Sequence, residues 1–240
     1  MRLASAAVSS IILLTALTSV EAARTQPMMV TDLVWSIQGD AYDTEADNVY
    51  AKRQLDFDPH RSAVVLIDVW DEHPNDGFKA RMADNVRRFL EPAVDAARRA
   101  GMHIIHANSS APIHPALLPI RNEKVLDYRN EIDDGKELAD YLHANDIRTV
   151  FYAGYAANAC IIGKPAAMLF VIHLAPPGTQ FVFLEDATLA FENADDLENE
   201  TAKKIFVDFF RSVGGGRLGA PGHVPYTSSV TNAEFLQSIK

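Results

Sequence analysis

The chain reads as a three-layer α/β/α domain on a mainly parallel, Rossmann-like sheet. Short β-branched runs alternate with stretches of helical period, and the first such run, Ala63 to Ile67, is apolar throughout. No repeat, low-complexity tract or Gly/Ser linker divides the chain. Continuously apolar strands are those buried on both faces, as in a parallel sheet covered by helices. Of the 240 residues, 48% are hydrophobic and 22% charged. That is enough apolar material for one domain and too little charge for a disordered chain.

In chain order, Met1 to Ala22 has the layout of a cleavable signal peptide: Arg2, an apolar centre from Ile11 to Leu17, then the small-residue site Val20-Glu21-Ala22. The uncharged run from Leu3 to Val20 includes six Ser or Thr and falls short of the ~20 apolar residues of a spanning helix. The expectation is a secreted or periplasmic protein beginning at Ala23, with no stable membrane anchor. Residues 23 to 60 are polar and irregular. They form an N-terminal extension with at most a short extended piece from Leu33 to Ile37, and the domain proper spans 61 to 240.

Within the domain, Ala63 to Ile67 is the first strand. Met82, Val86, Phe89, Leu90, Ala93, Val94 and Ala97 recur at helical spacing over 81 to 100, with Pro92 bending that helix and Gly101 closing it. His103 to Ala107 is extended, Lys136 to Ala144 helical, Thr149 to Ala153 extended, Pro165 to His173 helical and Phe181 to Leu184 extended. A helix from Ala194 to Ser212, a short strand within Val224 to Val230 and a helix from Asn232 to Ile239 complete the series. In such βαβ sheets ligands bind beyond the carboxyl ends of the strands.

Two reactive residues fall there. Asp68 ends the apolar run AVVLID, and Cys160 lies in the turn GYAANAC, seven residues beyond Ala153. Asn158 is placed to cap that turn, leaving the Cys160 amide and sulfur at a helix start. Cys160 is the only cysteine, which excludes an intramolecular disulfide and leaves an inert thiol, an intermolecular bridge or a reactive group. A carboxylate within reach accepts a thiol proton and returns it to a leaving amine. A nearby cation brings a thiol pKa from about 8.5 into the ~3.5–7.5 range. From spacing alone Asp68 also fits a turn cap, and Trp70 fits either a substrate pocket or the core. The net charge of −10 opposes nucleic-acid binding and favours a small-molecule partner.

AVVLIDVW (Ala63 to Trp70), followed by LADYLHANDIRTVFYAGYAANACII (Leu138 to Ile162), resembles the isochorismatase-like cysteine hydrolases. That superfamily includes nicotinamidases and N-carbamoylsarcosine amidohydrolase. The resemblance covers roughly Leu55 to Leu236, and the turn Tyr155 to Ile161 is its most specific part. It implies Asp68 as base, Cys160 as nucleophile, the amides of Ala156 and Cys160 as oxyanion donors, and a cis peptide just before Ala156. Trp70 and Asn158 join Ala156 in the expected substrate site.

The chain departs from the family pattern in places. Ala157 replaces the threonine of the turn. Where nicotinamidases carry an Asp-x-His metal site this chain has His106-Ala107-Asn108 and His114, so no catalytic metal, no cofactor and no nicotinamide substrate are expected. Asp71, Glu72 and His73 read as a solvated loop. The family's lysine falls on Lys124 if three extra residues precede Lys136; the remaining options are no catalytic lysine, or Lys164, four residues after Cys160. The expected activity is cleavage of a small amide or carbamoyl C–N bond through a covalent acyl-enzyme, in a homo-oligomer. Vinyl-ether hydrolysis of the isochorismate type, and a non-catalytic binding role, are the other readings. Asn108-Ser109-Ser110 and Asn199-Glu200-Thr201 match the glycosylation acceptor pattern, and Gly214-Gly215-Gly216 reads as a flexible turn.

Overall fold

The computed structural model describes residues 25–34, 37–38, 41–42, 49–109, 111–126, 133–212 and 227–240. The signal-peptide segment and Gly214 to Gly216 lie outside the described residues. Strands β1 (Gln26–Val34), β4 (Val49–Phe57), β5 (Ser62–Ile67), β6 (His103–Ala107), β7 (Lys124–Val125), β8 (Thr149–Gly154), β9 (Gln180–Thr188) and β10 (Thr227–Val230) form one eight-stranded sheet. A separate small hairpin pairs β2 (Ile37–Gln38) with β3 (Ala41–Tyr42). The order in the large sheet is β4-β1-β10-β9-β8-β5-β6-β7, and every pairing from β10 to β7 is parallel.

Alternate side chains of the parallel strands feed two cores. Val64, Leu66, Phe151, Ala153, Val182 and Leu184 pack on one face with helices α1 (Asp76–Asn85), α2 (Glu91–Arg99) and, through Phe235, α7 (Asn232–Ser238). Ala63, Val65, Ile67, Val150, Tyr152, Phe181 and Phe183 pack on the other. There they meet α3 (Asp134–Ala144), α5 (Met168–Val171) and α6 (Thr201–Ser212) through Leu138, Met168 and Phe210. This is the three-layer α/β/α architecture the apolar runs predict.

The boundaries differ instructively. Residues 26–57 are not an irregular wrap. Residues 26–34 and 49–57 form two antiparallel nine-residue strands that extend the sheet beyond β10. Met28, Val30 and Asp32 alternate inward on β1, but Asp32 pairs with Arg53 of β4, so a charged pair interrupts the apolar period. The long first helix begins at Asp76, capped by Asn75, whose side chain accepts from the Phe78 amide. A π turn, Val86 to Leu90, separates α1 from α2. Pro92, next in line, has no N–H for a backbone bond, and the widened turn absorbs that defect.

Of the expected helix 165–173 only the single turn α5 is helical; another single turn, α4 (Cys160–Gly163), precedes it, and residues 164–167 separate the two. Lys164 sits at φ −76°, ψ 152°, the extended conformation a following proline imposes. Pro165 thus stops α4 after one turn.

Candidate active site

The carboxyl ends of β5, β6 and β8 meet at one rim of the sheet, each supplying part of one cluster. Asp68, the residue after β5, is wholly buried and adopts a left-handed φ of 48°. Such a conformation costs a non-glycine residue ~1–3 kcal/mol and needs support from its surroundings. The segment after β6 supplies it: Asn108 accepts from the Val69 amide at 3.1 Å, and the Asp68 amide donates to Ala107 at 3.4 Å. Farther along, Trp70 bridges to Ile113 and His114 donates its amide to Val69 at 2.9 Å.

Three donors converge on one oxygen of Asp68. The Ser109 amide, the Ser109 hydroxyl and the Lys164 ammonium each lie 2.6 Å from Oδ1. Lys164 also donates to the Ala107 carbonyl at 3.0 Å. Oδ2 is enclosed and receives no hydrogen bond. Cys160, half-buried at the start of α4, faces the Asp68 carboxylate. Burial, then the charge of the Asp68 carboxylate, push the thiol up to about 12; the Lys164 charge and the Ala156 amide pull the other way without prevailing. This reverses the low pKa expected from the sequence. The lysine is engaged by Asp68, so the thiol is kept protonated next to a carboxylate.

The turn between β8 and Cys160 is built from backbone. The Tyr155–Ala156 peptide is cis. The Tyr155 amide donates to Ile67 at 2.8 Å and the Ala157 amide to Leu189 at 2.8 Å, while the Ala156 carbonyl accepts from Ala159 and Ile161. Gly154, at φ 114°, lies so close to β5 that a Cβ there would stand 2.0 Å from the Ile67 carbonyl oxygen. Only glycine lets the two strand ends approach this closely.

The structure brings together Asp68, Cys160 and the Ala156 amide, and corrects two other assignments. Lys124 is not at Asp68: from the edge strand β7 its ammonium pairs with Glu137 on α3, and Lys164 occupies the place expected for it. Asn158 does not cap α4. Its side chain accepts from the Phe191 amide at 3.0 Å and donates to the Phe191 carbonyl at 2.9 Å, tying the cysteine turn to the segment after β9. The pair uses one of the two N–H donors and one oxygen lone pair of the amide.

Trp70 is partly buried and stacks on His73 at 6.1 Å, with Phe78 and Phe191 packed against His73. His106 bonds Glu123 at 2.9 Å, and Glu123 in turn accepts twice from Arg98. Burial holds His106 below the usual histidine range. Asn108, buried against Val69, is closed to glycosylation, whereas Asn199 is exposed. Ser109 carried no catalytic signal in the sequence. Its hydroxyl and amide become informative only once β6 is aligned beside β5.

No protein-family model matches the chain, and comparison with curated proteins gives no match. Solved structures do match. A cysteine hydrolase from Pseudomonas syringae pv. phaseolicola 1448A is 16% identical, with 76% of this chain and 94% of that one covered and a TM-score of 0.52. An octameric hydrolase of unknown specificity from Escherichia coli is 17% identical, with 76% and 81% covered and a TM-score of 0.51. An isochorismatase-like hydrolase from Alkaliphilus metalliredigens is 16% identical, with 75% and 99% covered and a TM-score of 0.48. At these identities the likeness is one of fold: the chain has the α/β fold of the Pseudomonas syringae cysteine hydrolase and of the Escherichia coli hydrolase.

Proposed function

We propose that the protein is a cysteine-dependent hydrolase that cleaves a C–N bond in a small amide or carbamoyl compound. The observation that carries this reading is the asymmetry of Asp68, the carboxylate that faces Cys160, with three donors on Oδ1 and a buried, unbonded Oδ2. As Cys160 attacks the carbonyl carbon, an S–C bond forms and the thiol proton passes to Asp68 Oδ2. The amides of Ala156 and Cys160 receive the oxyanion. Collapse of the tetrahedral adduct breaks the C–N bond, and the amine leaves with the proton from Asp68. Water then adds to the thioester, giving its proton to Asp68; the acid product departs and the thiol regains its proton. Lys164 keeps its positive charge throughout and balances Asp68 when that group is anionic.

The signal-peptide layout of Met1 to Ala22 supports export to a secreted or periplasmic location, and we read the protein as acting there. The similar Escherichia coli hydrolase is an octamer, which supports a homo-oligomeric assembly for this chain. The test is turnover of acetamide, benzamide, N-carbamoylglycine and succinimide by wild type, Cys160→Ala and Asp68→Asn. Both variants are expected to lose all measurable turnover while keeping the wild-type circular dichroism spectrum. Activity surviving in Cys160→Ala overturns the thioester and favours vinyl-ether chemistry; absence of wild-type turnover on all four compounds favours the non-catalytic role.

A further inference from the structure

We infer that Ser109 is a positioning residue that holds the Asp68 carboxylate in the one rotation that offers Oδ2 to the thiol. The inference rests on the hydrolase reading and adds to it a residue outside the nucleophile, the base, the lysine and the oxyanion amides. A carboxylate turns about its Cβ–Cγ bond, and its two oxygens are chemically equivalent until the surroundings distinguish them. Here the distinction is one-sided, with all three donors on Oδ1 and none on Oδ2.

The donors differ in stiffness. Lys164 reaches Oδ1 at the end of a four-carbon stem and can follow a moving oxygen. Ser109 grips it at two points from one residue, amide and hydroxyl, each at 2.6 Å. Its place is set by β6, because the Asn108 side chain is bonded to Val69 and Ala107 pairs with Ile67 in the sheet. The grip comes from the β6 side and Lys164 from beyond β8, so Oδ1 is held between two elements that cannot both move with it. Removing the hydroxyl leaves one stiff donor and one flexible one, and Oδ1 and Oδ2 can then exchange places.

The loss falls on the proton transfer and spares substrate binding, because Ser109 is directed at the carboxylate. Ser109→Ala is expected to lower kcat about tenfold, the scale of one hydrogen bond to a charged group, with KM within about twofold and the wild-type circular dichroism spectrum. Ser109→Thr, which returns a hydroxyl, is expected to recover most of the rate. The measurement is kcat and KM for both variants on whichever of the four compounds wild type hydrolyses fastest, with Cys160→Ala alongside. A Ser109→Ala kcat within twofold of wild type, a loss confined to KM, or a Ser109→Thr as slow as Ser109→Ala overturns the role of the hydroxyl. An active Cys160→Ala or an inactive wild type removes the hydrolase reading, and the role of Ser109 with it.

Discussion

Replacing Lys164 with Met separates a lysine that neutralises a buried carboxylate from one that decorates the surface. Lys164 is 14% exposed and Asp68 0%, with 2.6 Å between the charged atoms. Stranding one member of such a pair costs about 3–5 kcal/mol. The two Ser109 donors remain on Oδ1, so the lower figure, about 3 kcal/mol, applies to Lys164→Met. Lys124 and Glu137 are 27% and 35% exposed, and their pair is worth about 0.5 kcal/mol. In urea titrations with a slope of ~2–3 kcal/mol/M, the first variant should lose about 1 M or more in midpoint and Lys124→Met about 0.2 M. In an Asp68→Asn background the removal of Lys164 strands no anion, so adding Lys164→Met should cost no more than about 1 kcal/mol. Equal midpoint losses for the two lysine variants, or strict additivity of Asp68→Asn and Lys164→Met, would refute the buried pair and return Lys124 to consideration.

Four further outcomes follow from the same geometry. Alkylation of Cys160 by iodoacetamide should climb with pH and show no plateau at neutral pH, because burial and Asp68 push the thiol up to about 12; a plateau near neutrality would contradict it. Since the folded thiol keeps its proton above the ordinary value of 9.0, its contribution to stability is complete below about pH 9 and is lost as pH rises toward 12. Wild type should therefore lose stability relative to Cys160→Ala over that window in denaturant titrations, and parallel curves would contradict the shift. Gly154→Ala should destabilise by more than about 3 kcal/mol or prevent folding, because the new Cβ meets backbone and not a movable side chain; a near-wild-type melting temperature would show that β5 and β8 can separate there. Asn158→Ala removes both bonds to Phe191 and should cost about 1–2 kcal/mol in chemical denaturation; no change would mean that Phe191 is held by its ring contacts alone.

The parallel core was legible because burial on both faces writes itself as uninterrupted apolar sequence, and β5 is the plainest case. The antiparallel edge pair was not. An edge strand covered on one face alternates, and here Asp32 and Arg53 occupy inward positions as a pair, so neither residue registers as core until both strands are aligned. β9 extends to Thr188 for a similar reason: Glu185 is matched by Arg211 and Ser229, and the Asp186 carboxylate accepts from the Asn232 amide. Charged residues that meet their partners across long stretches of sequence look like loop when read one at a time.

The same physics explains the site. Asp68 and Cys160 were legible because each is an anomaly in its local context, a carboxylate on an apolar strand and a lone thiol in a small-residue turn. Lys124 and Lys136 stand in polar surroundings, while Lys164 is the one charge in the apolar stretch from Ile161 to Phe170, a contrast that does not by itself say what the lysine pairs with. What distinguishes them is whether a buried anion lies within reach of the stem. For Lys164 that depends on Pro165, which ends α4 and turns the backbone extended at the lysine itself. Had α4 continued, the backbone at Lys164 would have kept helical geometry, and its contact with Asp68 and Ala107 would have needed another path. Pro165 is therefore tied to the pairing of Lys164, and the coupling of a cheap backbone constraint to a costly buried charge gives Pro165→Ala a defined consequence. If that substitution lengthens α4, it should weaken the Lys164–Asp68 pair and lower the urea midpoint by more than the ~0.5 kcal/mol of an ordinary loop change, an excess that vanishes in the Lys164→Met background. An excess that persists there would place the role of Pro165 in the packing of α4 and α5, and leave the lysine's position to be explained by Asp68 alone.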